Sequence, residues 1–184
     1  VIEDNGIGID VDYYHALANR LDSETGDLLE HLKGTNPNSP KQVKELFESV
    51  GHILPNTNEK TLTGLLKTLP EDDPGRFLVD SLLEYRGKTK LRATYAVGML
   101  ERARGNVVYP SYLVHGTTTG RLSSKNPNIQ NLPRGPIIRE GIVPVNNYNV
   151  LAERDFSQAE LRTMAELSDD KDLIAAFQPG MPDF

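Results

Sequence analysis

The sequence predicts an α+β chain, helical over its first hundred residues and mixed beyond them. Three observations carry this. Apolar residues recur at helical spacing in several runs between residues 10 and 104. Residues 116 to 147 are then rich in Gly, Pro, Asn, Ser and Thr and cannot make a long regular element. Finally, Val150-Leu151-Ala152-Glu153-Arg154 reads as a strand that delivers Asp155 to a second helical pattern.

In chain order, residues 10 to 33 read as an amphipathic helix on Val11, Tyr14, Ala18, Leu21, Leu28 and Leu32, ended by Gly34. Asp10-x-Asp12 falls at its start and suits a helix N-terminus rather than a metal. After the loop Thr35-Asn36-Pro37-Asn38, Ser39 caps a helix with Pro40 in its first position and Gln42 three residues on, the pattern of a capping box. Val43, Leu46, Phe47 and Val50 form its apolar stripe. Thr57 to Thr68 reads as loop plus a short helix. Pro74 to Arg104 is a long helical pattern capped by Asp73 and ended at Gly105, with Gly87 and Gly98 as places for a break. Val107-Val108-Tyr109 and Tyr112-Leu113-Val114 read as short strands around Pro110.

A loop as long as 116–147 inside a compact domain points to function. The charge distribution points the same way. The whole chain carries −6, but Arg86 to Arg139 holds ten basic residues against Glu101 alone, a balance of +9 that leaves −15 for the rest. Segregation of this kind suggests a basic, phosphate-facing surface on an acidic body. Zero cysteines exclude disulfides and thiolate metal sites. No run of 18 apolar residues exists to form a membrane span. The first residues hold neither a basic region nor an apolar signal core, so nothing in them indicates export, and the lack of cysteine is compatible with a reducing cytoplasm.

A carboxylate at the carboxyl end of a strand is well placed to hold a divalent cation over a cleft. Asp155 could supply one such oxygen and the Phe156 carbonyl a second. Spacing alone favours the plainer role of an aspartate that helps cap the next helix, and Ser157-x-x-Glu160 is itself a capping-box pattern that would account for Glu160. Arg162 reads as a solvated or salt-bridged side chain. A final short helix follows, capped by Ser168 or Asp169 and packed through Leu173, Ile174 and Phe177, and the carboxylates of Asp169-Asp170-Lys171-Asp172 suit its start.

Taken together, Asn38 to Gln42, Glu84 to Gly87, Lys90-Leu91, Thr94-Tyr95, Thr119 to Ser124, Asn126 to Pro133 and Asp155 to Arg162 resemble, in order, the landmarks of the family A DNA polymerases, the bacterial polymerase I and phage type. The resemblance implies a lead-in helix over 1–33, a helical thumb subdomain over 34–105 and the beginning of an antiparallel-sheet palm over 106–184. The fingers and the rest of the palm are expected beyond the final residue. Asp155 would be the first of two catalytic aspartates, ligating both Mg²⁺ ions of a two-metal mechanism with help from the Phe156 carbonyl. Ser157 and Gln158 would line the incoming dNTP, and Glu160 would crowd the sugar 2′ position and reject ribonucleotides. Arg86, Lys90 and Arg92 would hold phosphates of primer-template DNA. Arg121 would reach the minor groove, with Asn128, Gln130 and Asn131 beside it. Phe156 stands where many members carry Tyr, and the chain shows no proofreading exonuclease motif. A duplex-binding remnant without chemistry is the rival reading. A single-subunit RNA polymerase relative fits less well, because Glu160 would exclude the 2′-OH.

Overall fold

The computed structural model describes residues 2–145 and 150–178, and the chain divides into two compact units, Val1–Val150 and Leu151–Phe184. The first begins with α1 (Ile2–Asn5), β1 (Ile7–Ile9) and α2 (Val11–His31). Asp10 is the cap of α2, its carboxylate accepting the Tyr13 N–H at 2.9 Å. Helices α3 (Pro40–Glu48) and α4 (Glu59–Leu66) follow, then α5 (Pro74–Leu91), which runs through a π-helical turn (Arg92–Val97) into α6 (Gly98–Arg102). Strands β2 (Val107–Val108), β3 (Ser111–Leu113) and β4 (Ser123–Lys125) come next, then a 3₁₀ turn (Ile129–Asn131), α7 (Pro136–Arg139) and β5 (Ile142–Val143).

Capping sets the helix starts. Asn58 accepts the Thr61 N–H at 2.9 Å to begin α4, and Asp73 accepts the Gly75 N–H at 2.7 Å to begin α5. At α3 the expected capping box is only half formed. Ser39 Oγ accepts from Gln42 N–H at 3.4 Å, but the Gln42 amide oxygen accepts from Asn36 N–H and not from Ser39. The Ser39 N–H donates instead to the Asn36 carbonyl, because the preceding loop curls its own backbone onto the helix end. The break in the long helix is the π-helical turn, closing at the buried Gly98, where a Cβ would lie 3.1 Å from the Ala93 carbonyl oxygen.

Two hydrophobic clusters organise this unit. Leu32, Phe47, Leu62, Val79 and Leu82 centre one, joining α3, α4 and α5. Tyr14, Leu21, Ala96, Met99, Val108 and Ile138 centre the other, joining α2 to the π-helical turn, α6, β2 and α7. Beside the second cluster lies an antiparallel sheet in the order β2-β1-β5, with Ile7 opposite Val108 and Ile9 opposite Ile142. Gly8 is required there: a Cβ would fall 2.4 Å from the Val143 carbonyl oxygen. β3 and β4 form a separate antiparallel pair, Ser111 opposite Lys125.

The second unit holds α8 (Ala159–Ser168) and α9 (Lys171–Ala176). Three expectations are corrected here. Residues 150–156 form no strand, for a strand needs a partner edge and none pairs with them among the described residues. Asp170, not Ser168 or Asp169, caps α9, accepting the Asp172 and Leu173 N–H groups at 3.0 and 3.1 Å. Asp169 instead closes α8 at a positive φ of 51°. Gln158 is the cap residue of α8, at φ 52°, so the helix begins one residue later than the Ser157-x-x-Glu160 pattern predicts. Among the described residues no helix is long and apolar enough to cross a membrane.

Candidate nucleic-acid interface

A cleft of about 740 Å³ in the first unit is lined by Lys90, Thr94, Tyr95, Arg102, Lys125, Asn128 and Asn131, with Glu101, Asn126 and Pro127 among the others. The π-helical turn and the helix ends that flank it make one wall. The π-helical turn shifts the register of side chains between α5 and α6, and such turns recur at functional sites. The loop after β4 makes the other wall. Tyr95 ties the two together, its hydroxyl donating to the Asn131 carbonyl at 2.7 Å. Lys90, Asn128 and Asn131, expected from the sequence as DNA contacts, are thereby brought together. Tyr95, Arg102 and Lys125 were not expected as site residues. Their signal was present only as a landmark pair and as members of the basic run.

The loop wall is braced from within. Ser124 is buried, its hydroxyl donating to the Asn128 side-chain oxygen at 3.2 Å and accepting the Gln130 N–H at 3.2 Å. The Gln130 side-chain amide donates to the Leu122 carbonyl at 2.8 Å, so it braces the loop and does not line the cleft. Arg121 is exposed in the preceding turn, its carbonyl accepting from the Thr117 hydroxyl at 2.8 Å. On the far side of the loop, Tyr14 and Tyr13 donate to the carbonyls of Ile138 and Ile137 at 2.8 and 2.9 Å, docking α7 against α2.

Part of the basic run is engaged by groups of the protein itself, including Arg86 and Arg92, two of the expected phosphate contacts. Arg86 is half-buried and donates to the Pro37 carbonyl through Nε at 3.1 Å and Nη2 at 2.8 Å, and to the Thr57 carbonyl through Nη1. Burial holds its guanidinium below the usual arginine range. Arg92 Nε lies 2.5 Å from an Asp22 carboxylate oxygen on α2, an ion pair without hydrogen-bond geometry between two partly exposed side chains. Lys88 likewise sits between Glu24 and Glu84 at 2.6 and 2.8 Å, and its ammonium is raised above the ordinary lysine value by Glu24 first and then Glu84. The physical reason is shared: α5 lies against α2, and its inward charges meet acceptors there or in the α2–α3 and α3–α4 loops.

In the second unit Asp155, Phe156 and Ser157 are exposed on irregular backbone, and Glu160 stands in the first turn of α8. Arg162 shapes this turn and is not merely solvated. Its Nε donates to the Ser157 carbonyl at 2.8 Å, its Nη1 to the Phe177 carbonyl at 3.3 Å, and its guanidinium lies 4.8 Å from the Phe177 ring centroid. The Asp155 carboxylate and Phe156 carbonyl are hard oxygen donors of the type magnesium takes. They form a partial donor set, for no group of three His, Asp or Glu side chains converges as a metal site among the described residues.

The sequence profile described as DNA polymerase family A matches residues 12–183. The chain belongs to this family. It is 35% identical to DNA polymerase I of Helicobacter pylori over 97% of its own length and 21% of that protein's. It is 36% identical to the thermostable DNA polymerase I of Thermus thermophilus over 97% of its length and 23% of the relative's. With DNA polymerase I of Streptococcus pneumoniae it shares 41% over 79% of its length and 17% of the relative's. The solved "POL domain of Pol1 from M. smegmatis complex with DNA primer-template and dNTP" superposes with a TM-score of 0.79 at 29% identity, covering 99% of this chain and 34% of that one. The chain thus spans about a fifth of the length of the curated family A relatives it matches.

Proposed function

We propose that this family A chain supplies the thumb and the first part of the palm to a DNA-directed DNA polymerase, which transfers nucleotides from dNTPs to a primer 3′-OH. The observation that carries the reading is the cleft that gathers Lys90, Asn128 and Asn131 between the π-helical turn and the β4 loop, in a chain whose solved relative holds primer-template DNA and dNTP. Lys90 would neutralise backbone phosphate, while the two asparagine amides reach sugar or base edges without reading sequence. Arg121, exposed on the same loop, would meet the minor groove. Gln130 acts indirectly, by holding that loop. Ser157 and Gln158 would line the nucleotide, and Glu160 would stand against the sugar 2′ position. Asp155 and the Phe156 carbonyl would hold magnesium, which when bound neutralises charge developing on the transferred phosphoryl group.

The test is primer extension by a polymerase chain carrying residues 1–184. Asp155→Ala should lower the rate by about a thousandfold or more, the scale of several kcal/mol of charge stabilisation. Glu160→Ala should raise ribonucleotide use relative to dNTP with dNTP extension retained. Unchanged sugar discrimination would return Glu160 to a helix-start role. A second reading applies to the 184 residues alone. With Asp155 on exposed, unpaired backbone, they should bind duplex in a salt-sensitive way and extend nothing.

A further inference from the structure

We propose that Arg102 and Lys125 complete a two-walled phosphate cleft with Lys90, gripping one nucleic-acid backbone from both sides. The proposal rests on the reading that this chain binds primer-template DNA, and it adds two cations to that surface. Lys90 stands in the last turn of α5 and Arg102 in the last turn of α6, on either side of the π-helical turn. Lys125 ends β4 on the facing wall. The lining holds these three cations against Glu101 alone, in a chain whose whole charge is −6.

The cations differ from their neighbours Arg86 and Lys88, which are held by carbonyls and carboxylates of the protein, and from Arg92, whose Nε faces Asp22. The ammonium groups of Lys90 and Lys125 form no ion pair among the described residues, so each keeps three donors for an incoming oxygen. Arg102 commits Nη1 to the Gly98 carbonyl at 2.8 Å and keeps its remaining N–H groups. Glu101, 3.9 Å away on the same exposed helix end, offsets it little. The two walls are held at a set spacing. Tyr95 crosses between them to Asn131, and pairing of Lys125 with Ser111 fixes the β4 backbone. Cations mounted on backbone tied in this way bind with less ordering cost than cations on a free loop. The asparagines between them favour a polymer backbone over a lone phosphate, since they offer both donors and acceptors to sugars and base edges.

The experiment is a fluorescence-anisotropy titration of a primer-template duplex with the 184-residue chain across roughly 50 to 200 mM salt. Arg102→Gln and Lys125→Gln should each flatten the slope of log affinity against log salt by about 0.9, and the double variant by about 1.8. Lys125→Arg should keep the wild-type slope. Lys41→Gln removes a charge outside the cleft, from an exposed α3 residue 3.9 Å from Glu45, and should change nothing. Wild-type slopes in both cleft variants would overturn the two-walled cleft and leave DNA binding by the chain standing. Equal flattening by Lys41→Gln would reduce the effect to bulk charge and overturn it as well. Salt-independent or undetectable binding by the wild-type chain would take down the DNA reading and this proposal together.

Discussion

A guanidinium on α5 can serve phosphates outside or carbonyls inside, and spacing turns Arg86 inward. Leu78, Leu82 and Arg86 recur at four-residue steps on one helix face, and the first two are buried. Arg86 therefore meets the carbonyls of Pro37 and Thr57, which no other side chain donor satisfies in the described structure. Arg86→Lys should cost about 1–3 kcal/mol, because an ammonium cannot span both loops and leaves a half-buried carbonyl unpaired. Thermal melts should drop by several degrees while the salt slope of DNA binding stays as it was. Lys90→Gln should do the reverse. Tyr14 makes the other residue-scale case. Fully buried and bonded to the Ile138 carbonyl, its phenol is pushed up to about 12 by burial, from an ordinary value of 10.0. Its folded value lies above its unfolded one, so its contribution is complete below pH 10 and lost as pH rises through 12. Melts across that window should show on the order of 2–3 kcal/mol of alkaline destabilisation, and Tyr14→Phe should remove that dependence along with the hydroxyl's bond.

Among the elements, the start of α5 concentrates charge at one point. Asp73 accepts the Gly75 N–H at 2.7 Å and lies 2.8 Å from His52 Nε2, and the His52 bond first, then the backbone bond, holds its carboxyl below the usual range. A lowered folded value means the stabilisation is present above the unfolded value near 3.8 and disappears as pH falls through the folded one. Asp73→Asn, which keeps a cap oxygen but no charge, should flatten acid melts below about pH 4 relative to wild type. Such starts were legible in the sequence because a cap and its helix are neighbours: Ser39, Asp73 and the stripe from Tyr14 to Leu28 fell where expected. β1 and β5 were not legible, since two- and three-residue strands acquire their identity from partners a hundred or more residues away, such as Ile7 with Val108 and Gly8 with Val143. Val150 to Arg154 erred in the opposite sense, having strand composition but no edge to join. At the site, the amide loop and Lys90 could be read from landmarks, whereas the inward turn of Arg86 and the pairing of Arg92 with Asp22 depended on which faces α2 and the following helix share.

Across the molecule the two units differ in how much each can bury. In the first, two clusters enclose nine buried apolar residues each. In the second, Ala165 is the one buried residue among those described, while Phe156 is 85% and Leu167 83% exposed, with Leu161 and Met164 also open. Helices of ten and six residues are marginal in water without an apolar face to pack on, and the Arg162 bridge to Ser157 and Phe177 is polar and buries little. The turn carrying Asp155 thus gains little from apolar burial, although the proposed chemistry requires it to be fixed within a fraction of an ångström. Under the function proposed above, further polymerase polypeptide would cover α8; the relatives are some fivefold longer. Hydrogen exchange on the 184-residue chain should show about tenfold protection or less for α8 and α9, against orders of magnitude for α2 and α5. The same measurement on a longer polymerase chain carrying these residues should raise protection of α8 toward that of α2, in step with the appearance of primer extension. Strong protection of α8 in the short chain without extension would mean that the turn is already ordered, and that the missing ingredient is a catalytic group and not a packing surface.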